Sequence, residues 1–159
     1  MGISLPGHLS PMLGLMGVSF PTTDEDSLTS DAAQWRSFAS TCRSAHGDLR
    51  AAVDYLKSAN TGPTANAFAS YMSGKSNLTG TEAMGEAADR VAEGCVKAAQ
   101  HLRTLKVAII AEASSLYRLY QLTKGPFGQL FEDLFNEAVG KHAARCRQLD
   151  AKTAAVIQG

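Results

Sequence analysis

Between Leu28 and Leu56 one set of side chains recurs in alternating steps of four and three: Leu28, Ala32, Trp35, Ala39, Cys42, His46, Leu49, Val53 and Leu56. That spacing places all nine on one stripe of an α-helix, widened by Phe38 and Tyr55. Ahead of the stripe, Thr22 or Thr23 is followed by Asp24, Glu25 and Asp26. A hydroxyl that caps free amides and carboxylates that complement the helix dipole predict a helix start here. The helix is expected over 23–59 and is about 50 Å long at roughly 1.5 Å per residue.

A second stripe runs Met84, Ala88, Val91, Cys95, Ala98, Leu102, Leu105, Ile109, Glu112, Leu116 and Leu119, flanked by Tyr117 and Tyr120. It predicts a long helix over 81–123, ended by Gly125-Pro126, because proline has no amide proton and disfavours helix in the residue before it. Two long helices with matching seams are best satisfied by packing antiparallel across the intervening 60–80 turn, itself expected to hold a short helix. A third amphipathic segment, over 126–157, carries Phe127, Phe131, Leu134, Ala138 and His142, then a weaker continuation through Leu149 and Val156. Its phenylalanines predict firm docking at the start, and the alanine-rich tail after Asp150 is expected to fray. In residues 1–22, proline and glycine bracket an apolar run, Leu9 to Met16, long enough for a short helix.

The expected fold is therefore all-α: an elongated antiparallel helical hairpin or bundle with a short N-terminal helix and a C-terminal amphipathic helix, one domain over 1–159. Composition agrees. Hydrophobic residues make up 45% of the chain but aromatic residues only 7%, and alanine is frequent, which favours closely packed helices over a sheet sandwich.

Fifteen basic and fifteen acidic residues cancel, so the chain lacks the basic field that nucleic-acid binding requires. No run of about 20 apolar residues is present, so no stable membrane insertion is expected. The opening segment has no Lys or Arg before Arg36, unlike a cleavable secretory signal. An amphipathic, membrane-active protein is a third-ranked reading, suggested by the Phe127–Phe135 cluster and the Leu9–Met16 run.

Chemistry is sparse. Cys42, Cys95 and Cys146 are widely spaced without a C-x-x-C pair, so they read as buried free thiols. His8, His46, His101 and His142 are scattered, and an isolated histidine on a helix face reads as a hydrogen-bonded core or edge residue. Glu112, within an apolar stripe, reads as a seam residue that reaches the surface. No phosphate loop and no G-x-S-x-G elbow occurs. No catalytic residue, metal site or cofactor is expected, which leaves helix-on-helix recognition.

The segment "TGPTANAF", Thr61 to Phe68, resembles the W-x-G-x-x-A-x-x-F turn of the Trp-X-Gly superfamily, the helical-hairpin proteins exported by type VII secretion systems. Gly62 would supply the tight turn with Pro63, Ala65 the close approach, and Phe68 the anchor. The run "LPGHLSPMLGLMGVSFPTTDEDSLTSDAAQWRSFA" from Leu5 is similar to the opening of the longer Trp-X-Gly-like N-terminal domain of actinobacterial polymorphic toxins, and "LKVAIIAEASSLY" from Leu105 to its closing helix. The likeness covers roughly 5–120.

The resemblance implies a targeting and pairing module, usually followed by a toxin domain, with an inward Trp35. It implies a small helical Trp-X-Gly-like partner and a secretion ATPase, a hetero- or homo-oligomer, and residence in the cytoplasm before export without a cleavable signal. Partner packing would fall to Leu28, Trp35, Phe38, Leu49, Leu56, Val91, Leu102, Leu105, Ile109 and Leu116. Two features depart from the family. Asn60 stands at the turn's tryptophan position, and the export signal, Tyr followed four residues later by Asp or Glu, is missing: Tyr55, Tyr71, Tyr117 and Tyr120 meet Ala59, Lys75, Gln121 and Lys124. The missing signal supports a second expectation, a cytoplasmic chaperone or adaptor for such a toxin.

Overall fold

The computed structural model describes residues 2–74 and 78–158. Lys75, Ser76 and Asn77, part of the turn expected over 60–80, lie outside the described residues, as do Met1 and Gly159. The chain is all-α, its long helices packing as antiparallel pairs. A 3-10 turn at Gly7–Leu9 leads into α1 (Ser10–Met16), followed by α2 (Glu25–Ala59), α3 (Pro63–Met72), α4 (Leu78–Thr123) and α5 (Gly128–Gln158). Asp24 begins α2 by accepting the Asp26 amide at 2.9 Å, with Glu25 and Asp26 in the first turn. The tail after Asp150, expected to fray, continues α5 to Gln158.

The helices divide into two compact units, residues 1–28 with 97–159, and residues 29–96. In the first unit, α1 fills a groove between α4 and α5. Leu9, Met12, Leu13 and Met16 are buried against Leu105, Ile109, Ala113 and Leu116 of α4 and Ala143 and Cys146 of α5. Each buried large aliphatic side chain contributes roughly 1.5–3 kcal/mol. The Leu9–Met16 run is thus core, which removes one of the two features behind the membrane-active reading. The phenylalanine cluster docks differently from expectation. Phe131 and Phe135 are half-buried, and Phe135 meets Tyr120 at 5.7 Å between ring centroids. Phe127 and Leu134 are exposed, because the inward stripe continues through Ala143 and Cys146, one register away.

In the second unit, α2 and the first turns of α4 run antiparallel. Their seam is built from small residues, with Ala32, Ala39 and Cys42 buried on α2 and Gly85, Ala88 and Ala92 on α4. A Cβ at Gly85 would lie 3.4 Å from the Ala39 carbonyl oxygen and 3.5 Å from the Cys42 Cβ, so the two backbones approach closely. The expected second stripe keeps Ala88 but departs at two positions. Met84 and Val91 are exposed, while Gly85 and Ala92, one residue on, take the buried positions. Reading for large apolar side chains selects the wrong register wherever close packing selects small ones. Val53, Ala69 and Leu78, with Leu49 and Met72, pack α3 against the pair.

Candidate functional site

At the start of α2 the first unit holds a buried ion pair. Glu25 and Lys106 have side chains 1% and 3% exposed and meet at 2.6 Å. Lys106 Nζ also donates to the Thr23 carbonyl at 2.8 Å and lies 5.8 Å from the Phe20 ring centroid, and Glu25 accepts the Ile3 amide. The Ile3 amide first, and then Lys106, hold the Glu25 carboxyl down at about 2. These contacts fasten the N-terminal segment to α4. An ion pair with both heads saturated is a structural clasp.

Between α4 and α5, His142 Nδ1 donates to the Glu112 carboxylate, and Arg145 lies 3.8 Å from the same residue. Glu112 is 20% exposed, so its position in the apolar stripe is explained by the polar partners His142 and Arg145 that the facing helix supplies. Cys146 follows His142 by one helical turn and is fully buried. Burial, and then the charge of Glu112, push its thiol above the ordinary range, so it is a poor nucleophile. Cys42, Cys95 and Cys146 are all free, with Cys95 half-buried. In the second unit, His46 Nδ1 donates to the Leu78 carbonyl at 2.8 Å. His8 meets Tyr117 edge-on at 5.2 Å. Among the described residues no group of three or more His, Cys, Asp or Glu is placed to hold a metal ion, and no helix is long and apolar enough to cross a membrane.

What the second unit does present is a two-faced hairpin. The Gly85 contacts with Ala39 and Cys42, and the His46 contacts with Leu78 and Thr81, fix its register. Relative to that seam, Trp35 and Phe38 on α2 and Met84 and Val91 on α4 are displaced backwards by about 40–100°, at roughly 100° per residue. In an antiparallel pair the two backward flanks fall on the same side. Trp35 (41% exposed), Phe38 (42%), Met84 (53%) and Val91 (43%) therefore share one apolar flank, with Trp35 and Phe38 edge-to-face at 6.1 Å. The forward flank carries Arg36, Arg43, Arg50 and Lys57 at seven-residue intervals on α2, opposite Glu82, Glu86, Asp89 and Glu93 on α4. Arg43 meets Asp89 there at 2.6 Å.

At the tip, Gly62 adopts φ 132°, a conformation that favours glycine, and Pro63 opens α3. Asn60 ends α2, its amide and side-chain nitrogen both donating to the Leu56 carbonyl, at 3.0 and 3.2 Å. Leu56, Asn60, Gly62, Pro63, Ala65 and Phe68 line a surface groove of about 520 Å³, with Phe68 43% exposed.

The expected packing residues therefore separate. Leu102, Leu105, Ile109 and Leu116 are buried within the chain itself. Leu28 and Leu49 are half-buried, while Trp35, Phe38, Leu56 and Val91 face solvent. The inward Trp35 that the resemblance implied is corrected: a seam of alanine and glycine is too narrow for an indole, so Trp35 lies on the flank. The Glu25–Lys106 clasp was missed; the only sequence signal for it was a lysine at Lys106 inside the apolar run Leu105–Ile110.

Residues 9–146 match the family described as WXG100 like domain. Comparison with curated proteins and with solved structures gives no match.

Proposed function

Since the chain belongs to the WXG100-like domain family, helical proteins associated with type VII secretion, we propose that it is a non-catalytic targeting and pairing domain of a secreted substrate. In this reading it is the N-terminal module of an actinobacterial polymorphic toxin, held in the cytoplasm until export and engaged by the secretion ATPase. The carrying observation is the apolar flank of the hairpin, where Trp35, Phe38, Met84 and Val91 stand exposed beside a seam already closed by small residues. A helix pair from a Trp-X-Gly-like partner buries that flank, with the aromatic side chains supplying most of the energy.

Co-expression with the small helical proteins encoded beside its gene tests the proposal. A stoichiometric complex that dissociates when Phe38 and Val91 are both changed to Lys supports it; a chain that recruits none of them contradicts it. A second reading, a cytoplasmic chaperone for such a toxin, is favoured by the missing Tyr-x-x-x-Asp/Glu signal. Appearance of the protein in culture medium, dependent on the type VII apparatus, would exclude it.

A further inference from the structure

In the first unit, α1, the last two turns of α4 and the start of α5 leave an open groove of about 740 Å³ between them. That volume falls within the roughly 300–1,000 Å³ of small-molecule sites. Tyr117, Tyr120 and Lys124 follow one another at steps of three and four, so one face of α4 presents all three to the groove. Two ring pairs form its walls: His8 meets Tyr117 edge-on at 5.2 Å, and Tyr120 meets Phe135 at 5.7 Å. Buried Met12 adds a thioether, which favours contact with aromatic rings. Branched aliphatic side chains, which would suit an acyl chain, are represented among the described lining residues by Leu15 alone.

Charge supplies the other half of the preference. Among the described residues that line the groove, Lys124 is the one Lys or Arg, and there is no Asp or Glu. Lys124 Nζ lies 4.4 Å from the Tyr120 ring centroid, so the ammonium rests on the aromatic wall. On α1, Gly14 gives the wall no side chain, and a Cβ there would meet nothing within 4 Å. The geometry points to a binding site for a small aromatic carboxylate, its flat ring system lying against Tyr117, Tyr120 and Phe135 and its acid group accepting from Lys124. Tilted rings reward a flat aromatic body through edge-to-face and offset contacts, which a flexible chain does not make. A cation without a competing carboxylate selects an anion over a neutral or cationic ligand. None of these residues belongs to the hairpin flank, so ligand binding here and partner docking there are separable.

The test is a nuclear magnetic resonance titration of the isotope-labelled full chain with naphthalene-2-carboxylate. Saturable shifts are expected at the amides of Gly14, Leu15 and residues 117–124, with a Kd of about 0.01–1 mM, the scale for a ligand of about a dozen non-hydrogen atoms. Gly14→Leu fills the groove and weakens binding by at least about tenfold. The circular dichroism and unfolding midpoint hold, because leucine favours helix more than glycine and the added atoms start in open space. Lys124→Met weakens the carboxylate about fivefold and leaves the neutral naphthalene-2-carboxamide, the poorer ligand of the parent protein, unchanged. Absence of saturable shifts overturns the proposal, as does binding that Gly14→Leu leaves intact. Decanoate binding more tightly than the naphthalene acid, or the carboxamide binding as well as the carboxylate, overturns the ligand class.

Discussion

Removing the cation of the clasp gives the largest single effect the structure predicts. Glu25 is 1% exposed, and Lys106→Met leaves its carboxylate in place without the ammonium 2.6 Å away. An uncompensated buried charge of this kind costs about 3–5 kcal/mol, whereas replacing both partners with neutral groups is far milder. Lys106→Met is therefore expected to lower stability by about that amount at pH 7, and Glu25→Gln with Lys106→Met to recover much of it. The pH dependence has a definite sign. In the parent protein the Glu25 pKa falls from 4.5 to about 2, so its contribution is complete above 4.5 and is lost as pH falls towards 2. In Lys106→Met the Ile3 amide, the larger cause, still holds the Glu25 carboxyl below its unfolded value, so the variant keeps the parent's sign of acid dependence but loses less stability as pH falls through that range. Urea unfolding at pH 7 and pH 3 should show the gap between the two proteins narrowing in acid. A Lys106→Met variant within about 0.5 kcal/mol of the parent at pH 7 would refute the clasp.

Other expectations follow from the close-packed seam and the tip. Gly85→Leu should destabilise the second unit by about 1–3 kcal/mol, because the first added carbon already touches Ala39 and Cys42, while Gly85→Ala should stay close to neutral through its gain in helix propensity; thermal unfolding measures both. Gly62→Ala should cost about 1–3 kcal/mol by forcing a Cβ into φ 132°, read from the unfolding midpoint. Trp35, 41% exposed, should fluoresce at long wavelength in the free protein and shift to shorter wavelength when a partner covers it.

The period of the apolar pattern carried the fold, because two helices that share a seam need the same spacing on each. It carried α4 at Ala88, Leu102, Leu105, Ile109 and Leu116 but not in the first turns, at Met84 and Val91. Met84 and Val91 looked like core by side-chain hydrophobicity, yet the observed seam takes Gly85 and Ala92, whose value lies in how close they let the backbones come. The position of Trp35 was hidden for the same reason, and that difference matters most, since it moves the indole from the interior to an exposed flank. The turn was legible, because Gly62-Pro63 restricts the backbone directly. The Glu25–Lys106 pair was not, since the two residues lie 81 positions apart and only folding brings them together. Asn60 likewise read as a lost tryptophan, whereas its side chain closes α2 on the Leu56 carbonyl.

The central claim is that the bare flank of the hairpin is where a helical partner docks. Calorimetric titration of the chain with its co-purifying partner, repeated with Phe38→Lys/Val91→Lys, tests this most directly. The account predicts that the double variant keeps the parent's circular dichroism and unfolding midpoint but binds at least about a hundredfold more weakly, because two charges are buried at the centre of the contact. Unchanged affinity in a folded variant would contradict it.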